Sequence, residues 1–73
     1  MKKLCNLKCG ETAVVKRIEE NSPLRRRLFD IGLVSGASVT CIQKSIFGDP
    51  AAYLIRDTVI AIRNDDAQSV FVS

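Results

Sequence analysis

The chain has 73 residues, which is enough for one domain built around one small hydrophobic core. Apolar residues make up 47% of it and charged residues 26%, which is typical of a folded protein and excludes an intrinsically disordered chain. A net charge of +3 is too small to indicate a dedicated nucleic-acid binder, and no apolar run is long enough to cross a bilayer. We therefore expect a single domain over residues 1–73 that is cytoplasmic, binds no nucleic acid and does not insert directly into a membrane.

The first signals in chain order are those of a turn and a strand. Leu4 and Leu7 are three residues apart and are placed to pack together on one side of a single turn over 4–7. Gly10 then breaks the chain, and the β-branched content of residues 12–18 predicts a strand.

The clearest local signal is that of a helix over residues 23–31. Ser22 is suited to cap the free N–H groups at its start, and Pro23 fits the first helical position. Gly32 supplies the left-handed residue that commonly ends a helix. The apolar residues at helical spacing, which form one face of this helix, are Leu24, Leu28 and Ile31.

The second half of the chain has the pattern of short strands joined by tight turns. Glycine and proline mark a loop tip at 47–50, and Asp57 is the expected hairpin turn residue because aspartate tolerates a positive φ. Residues 63–67 suggest a short helical turn before the last strand. The strands predicted here are 38–44, 51–56, 58–63 and 70–72.

Together these elements predict a mainly-β fold. It is a small barrel of about five strands, with one α-helix inserted between the first and second strands and a short helical turn before the last. Closure of the sheet into a barrel would also remove exposed strand edges, which are prone to pair with other chains.

Four segments of the chain carry a family resemblance, and in order they span nearly its full length. They are Leu4-x-x-Leu7-x-x-Gly10-Glu11, the helical segment from Ser22 to Leu33 followed by Gly36, Gly48-Asp49-Pro50, and Arg63-x-Asp65-x-Ala67. In these motifs the chain resembles the FeoA family, ferrous iron transport protein A. The resemblance implies an SH3-like barrel that acts beside FeoB, a membrane protein with a cytoplasmic GTPase domain that carries Fe²⁺ inward.

The chain departs from the pattern of that family at three positions. Asp57 stands where family members commonly have glycine, which leaves the predicted hairpin in place but strains its turn. Cys5 and Cys9 stand where the family usually has other residues, so the resemblance assigns them no role.

Catalysis is not expected from this sequence. The chain has no histidine, which excludes Ser-His and Cys-His nucleophile arrangements. Asp65 and Asp66 are adjacent, but they lie on a polar turn, and nothing separates their pKa values as a working carboxylate pair requires. We predict a protein that is not an enzyme and that uses no cofactor.

The three cysteines are Cys5, Cys9 and Cys41, and we predict no metal site from them. Structural zinc takes four ligands from cysteine and histidine, and the chain has only these three. Cys41 lies in an apolar strand, where cysteine behaves as a small hydrophobic residue. The alternative function is a thiol-based, metal-responsive binding module that uses Cys5 and Cys9.

A partner-binding surface is the function that the residues favour. On the predicted helix, Phe29 points away from the apolar face and lies beside arginines, a combination that is enriched in protein interfaces. Phe47 at the loop tip is a second candidate, and for both rings the alternative is burial in the core. The predicted contact residues are Leu24, Arg25, Arg26, Phe29, Phe47, Asp49 and Pro50.

The expected partner is a FeoB-like GTPase transporter, which this chain would bind on its cytoplasmic part and modulate. The positive net charge would speed its encounter with an acidic surface. Weak self-association through the same apolar patch is a further expectation.

Overall fold

The computed structural model describes residues 2–19, 25–30, 32–47 and 49–73. Within these ranges it has six β-strands, two α-helices and a short 3₁₀ turn at Leu4–Asn6. The strands are β1 (Lys2–Lys3), β2 (Thr12–Ile18), β3 (Ser38–Lys44), β4 (Ala51–Ile55), β5 (Thr58–Ile62) and β6 (Val70–Val72). The helices are α1 (Arg25–Asp30) and α2 (Asn64–Ala67).

All the strands pair antiparallel in one sheet, in the order β1-β6-β2-β3-β4-β5. β2 is central, with β6 on one side and β3 on the other. Within the described ranges, no backbone hydrogen bonds pair the two end strands, β5 and β1. We call this open line of the sheet, between β5 and β1, the seam. The 3₁₀ turn and α2 contact each other beside this seam.

The elements predicted from the sequence agree closely with those in the structure. Strands 12–18, 38–44 and 70–72 are confirmed with identical bounds, while the hairpin strands are each shorter by one residue. The mainly-β fold is confirmed, as are the place of the helix and the helical turn before the last strand. The count of about five was one short, because the two-residue strand β1 was not predicted.

The predicted helix over 23–31 is confirmed at its centre, where α1 spans Arg25–Asp30. The predicted cap and apolar face fall on Ser22, Pro23, Leu24 and Ile31, which lie outside the described residues, and so does Gly48 of the loop tip. The side chain of Leu28 is not described either. Neither α1 nor α2, nor any other helix in the described ranges, is long and apolar enough to cross a membrane.

A single cluster of apolar side chains forms the core of the described part of the chain. The 3₁₀ turn, α2 and strands β2 to β6 all contribute to it. Leu4 and Leu7 are fully buried, as the three-residue spacing of the predicted turn suggested. The fully buried strand residues are Val15 in β2, Val39 and Cys41 in β3, Ile55 in β4, and Val70 and Val72 in β6. Apart from the register shifts in β2 and β3, alternate residues of these strands therefore face one common interior.

The β4–β5 hairpin helps to position α1. Its two turn residues, Arg56 and Asp57, have φ values of 48° and 66°, as a two-residue type I′ turn requires. The positive φ expected for Asp57 is confirmed, and Arg56 shares it. Arg56 packs over Gly32 so closely that a Cβ atom on Gly32 would lie 2.9 Å from the Arg56 Cδ.

Gly32 also ends α1 as the sequence predicted. It has a φ of 94°, and its N–H donates a hydrogen bond to the carbonyl oxygen of Phe29 at 3.0 Å. Any other residue here would be strained both by this φ and by the close approach of the hairpin.

Candidate functional site

A groove of about 520 Å³ lies between the end of β2 and helix α1. β2 supplies one wall, α1 supplies the other, and the loop before β3 closes one end. The residues that line it are Lys16, Arg17, Ile18, Glu19, Arg25, Phe29 and Ser35. Among the described residues that line the groove, three side chains are cationic and one is a carboxylate, so this part of its lining is basic.

A bulge in β2 brings two consecutive cations to the surface. Pairing of β2 with β6 shifts register between Val15 and Arg17. Val15 is buried and Lys16 is exposed, so strict alternation would turn Arg17 inward, but Arg17 is exposed and Ile18 is buried again. A bulge adds one residue to a strand and re-aims the side chains that follow it. The groove therefore receives both Lys16 and Arg17.

The Arg17 side chain is held in place by the neighbouring strand. Arg17 pairs with Phe71 of β6, and its guanidinium carbon lies 4.4 Å from the centre of the Phe71 ring. The ammonium of Lys3 lies 5.9 Å from the same ring. Such cation–π contacts orient a guanidinium while leaving its N–H groups free to bind an anion.

On the opposite wall, Arg25 and Phe29 are one helical turn apart and contact each other. The guanidinium carbon of Arg25 lies 5.1 Å from the centre of the Phe29 ring, which is 40% exposed. The Nε atom of Arg25 is buried and has no hydrogen-bond partner within the described ranges. A buried donor without an acceptor is costly, so this edge of the groove is suited to receive one from a bound group.

Backbone hydrogen bonds fix the closed end of the groove. The N–H of Val15 donates to the carbonyl of Ala37, and the N–H of Gly36 donates to the carbonyl of Val15, each at 2.8 Å. The hydroxyl of Ser35 donates to the carbonyl of Lys16 at 3.1 Å. The loop before β3 is thus tied to the strand that carries two of the cations.

The structure brings only part of the predicted contact surface together. Arg25 and Phe29 both line the groove, and the predicted placement of Phe29 beside an arginine is confirmed. Arg26 is exposed but does not line the groove, and Leu24 lies outside the described residues. The sequence reasoning missed the β2 wall, although its signal, the pair Lys16-Arg17 in an otherwise alternating strand, was visible.

The predicted loop surface is separate from the groove. Phe47 is 93% exposed and its neighbour Ile46 is 96% exposed, so the alternative in which Phe47 is buried is wrong. Asp49 and Pro50 are exposed as well. The Asp49 carboxylate accepts a hydrogen bond from the backbone N–H of Asn64 at 2.8 Å, which ties the loop to the start of α2.

The cysteines differ in their surroundings. Cys41 is fully buried, Cys9 is exposed, and the half-buried Cys5 thiol donates to the side-chain oxygen of Asn6 at 3.7 Å. In the described part of the chain, no group of three or more histidine, cysteine, aspartate or glutamate side chains is arranged to hold a metal ion. The alternative based on Cys5 and Cys9 gains no support from this geometry.

Comparison with known proteins identifies sequence relatives of the chain. The family model of the FeoA domain matches residues 2–73. The chain is 33% identical over 70 residues to an Fe(2+) transport protein A/Fe(2+) transporter FeoB fusion protein of Porphyromonas gingivalis. That alignment covers 96% of the chain but only 8% of the fusion protein, so the chain corresponds to a small part of this relative.

Solved structures share the fold over nearly the whole chain. The FeoA protein of Chlorobium tepidum superposes with a TM-score of 0.89 at 32% identity, covering 97% of this chain and 68% of that one. FeoA of Stenotrophomonas maltophilia, complexed with zinc and described as a prokaryotic SH3 domain protein, superposes with a TM-score of 0.89 at 28% identity. The superposition covers 91% of the S. maltophilia protein and 100% of this chain. The SH3-like expectation is therefore confirmed.

Proposed function

Because the chain belongs to the FeoA family of ferrous iron transport proteins, we propose that it is an accessory protein that binds the cytoplasmic part of a FeoB-like transporter and modulates it. The fusion protein of P. gingivalis supports the pairing, since it joins transport protein A and FeoB in one polypeptide. Covalent linkage raises the effective concentration of two parts that contact each other. The chain would act in the cytoplasm, by binding and without catalysis.

The basic groove is the observation that carries this proposal. It is lined by Lys16, Arg17 and Arg25 together with the ring of Phe29, and Glu19 is the one carboxylate among its described lining residues. Arginine forks bind carboxylates with two parallel hydrogen bonds, and an aromatic face adds apolar contact. We therefore expect the partner to insert an acidic segment that also carries an apolar side chain.

The loop tip forms a second contact in this proposal. Ile46 and Phe47 expose large apolar side chains almost completely, and Pro50 follows them on the same exposed loop. Burying them against the partner removes apolar surface from water, which contributes affinity with little directional demand. Arg26 would extend the groove contact along the helix, and Leu24 stays a predicted contact residue.

Modulation follows from a difference in affinity. A bound protein shifts the equilibrium of its partner only when it binds one conformation more tightly than another. The groove would therefore engage an acidic segment that one state of the transporter exposes more than the other.

The first experiment measures binding of this chain to the purified cytoplasmic part of the FeoB protein from the same organism. Arg25→Glu replaces a cation that lines the groove with a carboxylate, and we expect the Kd of this variant to rise about 30-fold, as for an interface hot spot. Arg26→Glu makes the same charge change on the exposed side of α1 and should raise the Kd only about 3-fold. Arg63→Glu, which leaves the groove unchanged, is the matched control and should bind as the wild type does.

Two outcomes would count against different parts of the proposal. If the wild-type chain shows no binding, the association with FeoB is wrong. If the wild type binds and folded Arg25→Glu binds equally well, the association stands but the groove is not the contact surface.

A further inference from the structure

Two cysteines that the proposed function does not use lie next to each other where β2 begins. The N–H of Cys41 donates to the carbonyl of Glu11 at 3.0 Å, and the N–H of Gly10 donates to the carbonyl of Cys41 at 2.6 Å. Both hydrogen bonds hold the residues that follow Cys9 against Cys41. Gly10 has a φ of 86°, so the chain changes direction immediately after Cys9.

The two thiols differ sharply in their access to solvent. Cys9 is exposed, whereas Cys41 is fully buried in the core. The pKa of the Cys41 thiol is raised, first by burial and then by the thiol of Cys9 beside it. Cys41 is therefore protonated and shielded from oxidants in solution, while Cys9 is open to them.

We propose that Cys9 and Cys41 form a redox-active dithiol that hydrogen peroxide closes to an intramolecular disulfide. The Cys9 thiolate attacks one peroxide oxygen and the O–O bond breaks, which leaves a sulfenic acid on Cys9 and releases hydroxide that becomes water. The Cys41 thiol then attacks the sulfenic sulfur, the S–S bond forms, and the second oxygen leaves as water with the Cys41 proton. Two thiols are oxidised by two electrons in total, and one peroxide is reduced to two waters.

The order of the two steps follows from the difference in burial. Only Cys9 meets peroxide directly, and Cys41 is held next to it by the backbone bonds of Gly10 and Glu11. A disulfide forms readily only where the two backbones are already close, and here the residue after Cys9, Gly10, is hydrogen-bonded to Cys41 itself. Cys41 thus resolves the sulfenic acid before a second peroxide can oxidise it further.

The disulfide would close a loop from Cys9 to Cys41. This loop contains β2, α1 and all the described residues that line the basic groove. A covalent link at the ends of this segment limits its opening and so stabilises the groove walls against local unfolding. The inference rests on the position of the thiols and does not depend on the identity of the binding partner.

The test treats the fully reduced chain with equimolar hydrogen peroxide and measures the intact mass and the linked peptides. We expect each chain to lose the mass of two hydrogen atoms, a peptide pair that joins Cys9 to Cys41, and full reversal by dithiothreitol. Cys5→Ser is the matched control and should form the same link. Cys9→Ser, at an exposed position, should lose it while the protein remains folded.

Three results would overturn the proposal. They are a link between Cys5 and Cys9, a disulfide between two chains, and sulfinic or sulfonic acid on Cys9 while Cys41 stays a free thiol. Cys41→Ala, which keeps a small apolar side chain in the core, gives an independent check. When folded, it should form no intramolecular disulfide and should accumulate oxidised Cys9.

Discussion

Tyr53 and Arg25 each place a polar atom in an enclosed position, but only the Tyr53 atom has a hydrogen-bond partner among the described residues. Tyr53 is 1% exposed, and its hydroxyl donates to the carbonyl of Leu4 in the 3₁₀ turn at 3.5 Å. Burial raises the pKa of Tyr53 to about 12. Arg25 lies half-buried at the edge of the groove, and its enclosed Nε has no acceptor in the described ranges.

This difference separates a region that holds the fold together from one that is suited to bind. A domain of this size has little stability to spare, so a polar group in its interior needs a partner within the fold. In the groove, by contrast, the buried Nε of Arg25 has no acceptor among the described residues and is placed to donate to a group outside the chain. Changes to the buried residues of the 3₁₀ turn should therefore lower stability and leave partner binding intact. Changes in the groove should weaken partner binding and leave stability nearly unchanged.

The largest expected effect is that of Leu4→Ala in the 3₁₀ turn. Leu4 is fully buried, so its truncation removes apolar contacts and leaves a cavity, which should lower the free energy of unfolding by about 2–5 kcal/mol. Urea unfolding measures this loss. Leu54→Ala, which makes the same change at a residue that is 36% exposed, is the control and should cost only about 1–2 kcal/mol. Equal losses in the two variants would contradict the division between the regions.

The next effect is a loss of stability at alkaline pH that follows from the burial of Tyr53. Its pKa is 10.0 when unperturbed and about 12 in the fold, so the folded protein disfavours the phenolate. The stabilisation is complete below pH 10 and is lost as the pH rises towards 12, which amounts to about 2–3 kcal/mol. The free energy of unfolding should therefore fall over this interval.

Tyr53 is the only tyrosine of the chain, so absorbance of the phenolate reports its ionisation directly. Tyr53→Phe should flatten the alkaline loss of stability and cost little near neutral pH, because the hydroxyl has only one long hydrogen bond. Ionisation of the folded protein at the ordinary pKa of 10.0 would show that Tyr53 is not enclosed.

The smallest effects compare the two exposed aromatic rings. Phe29→Ala removes the apolar face of the groove and should raise the Kd for the FeoB cytoplasmic part about 10-fold. Phe47→Ala removes a ring that would make only apolar contact with the partner, and it should raise the Kd about 3-fold. Phe47→Ala should leave the urea midpoint nearly unchanged, since its ring is 93% exposed, and Phe29→Ala, at 40% exposure, should lower the midpoint less than Leu4→Ala does. A larger loss from Phe47→Ala would make the loop, and not the groove, the principal contact.

Local chemistry explains why so much of the fold was predicted correctly. Gly32 ends α1 with a positive φ, and Asp57 takes a positive φ in the hairpin, because each depends on the conformational range of one residue. The strands follow from β-branched residues with alternating burial. β1 was missed because two lysines carry no such pattern and acquire strand geometry only by pairing with Val72 and Phe71.

The candidate site was only half predicted, because its two walls come from distant parts of the chain. The helical spacing of Arg25 and Phe29 made one wall readable from the sequence. The other wall requires the bulge that turns Arg17 outward and the Phe71 ring that supports it, and both exist only when β2 pairs with β6.

By itself, the sequence determined every element except β1, their order and the lack of a histidine for catalysis, since these depend on residue type and near neighbours. Tertiary structure decided which residues come together: Arg25 and the cations of β2 along one groove, Tyr53 with Leu4, and Cys9 with Cys41. The physical reason is that register, bulges and burial arise from contacts between strands, and no single segment contains both sides of such a contact.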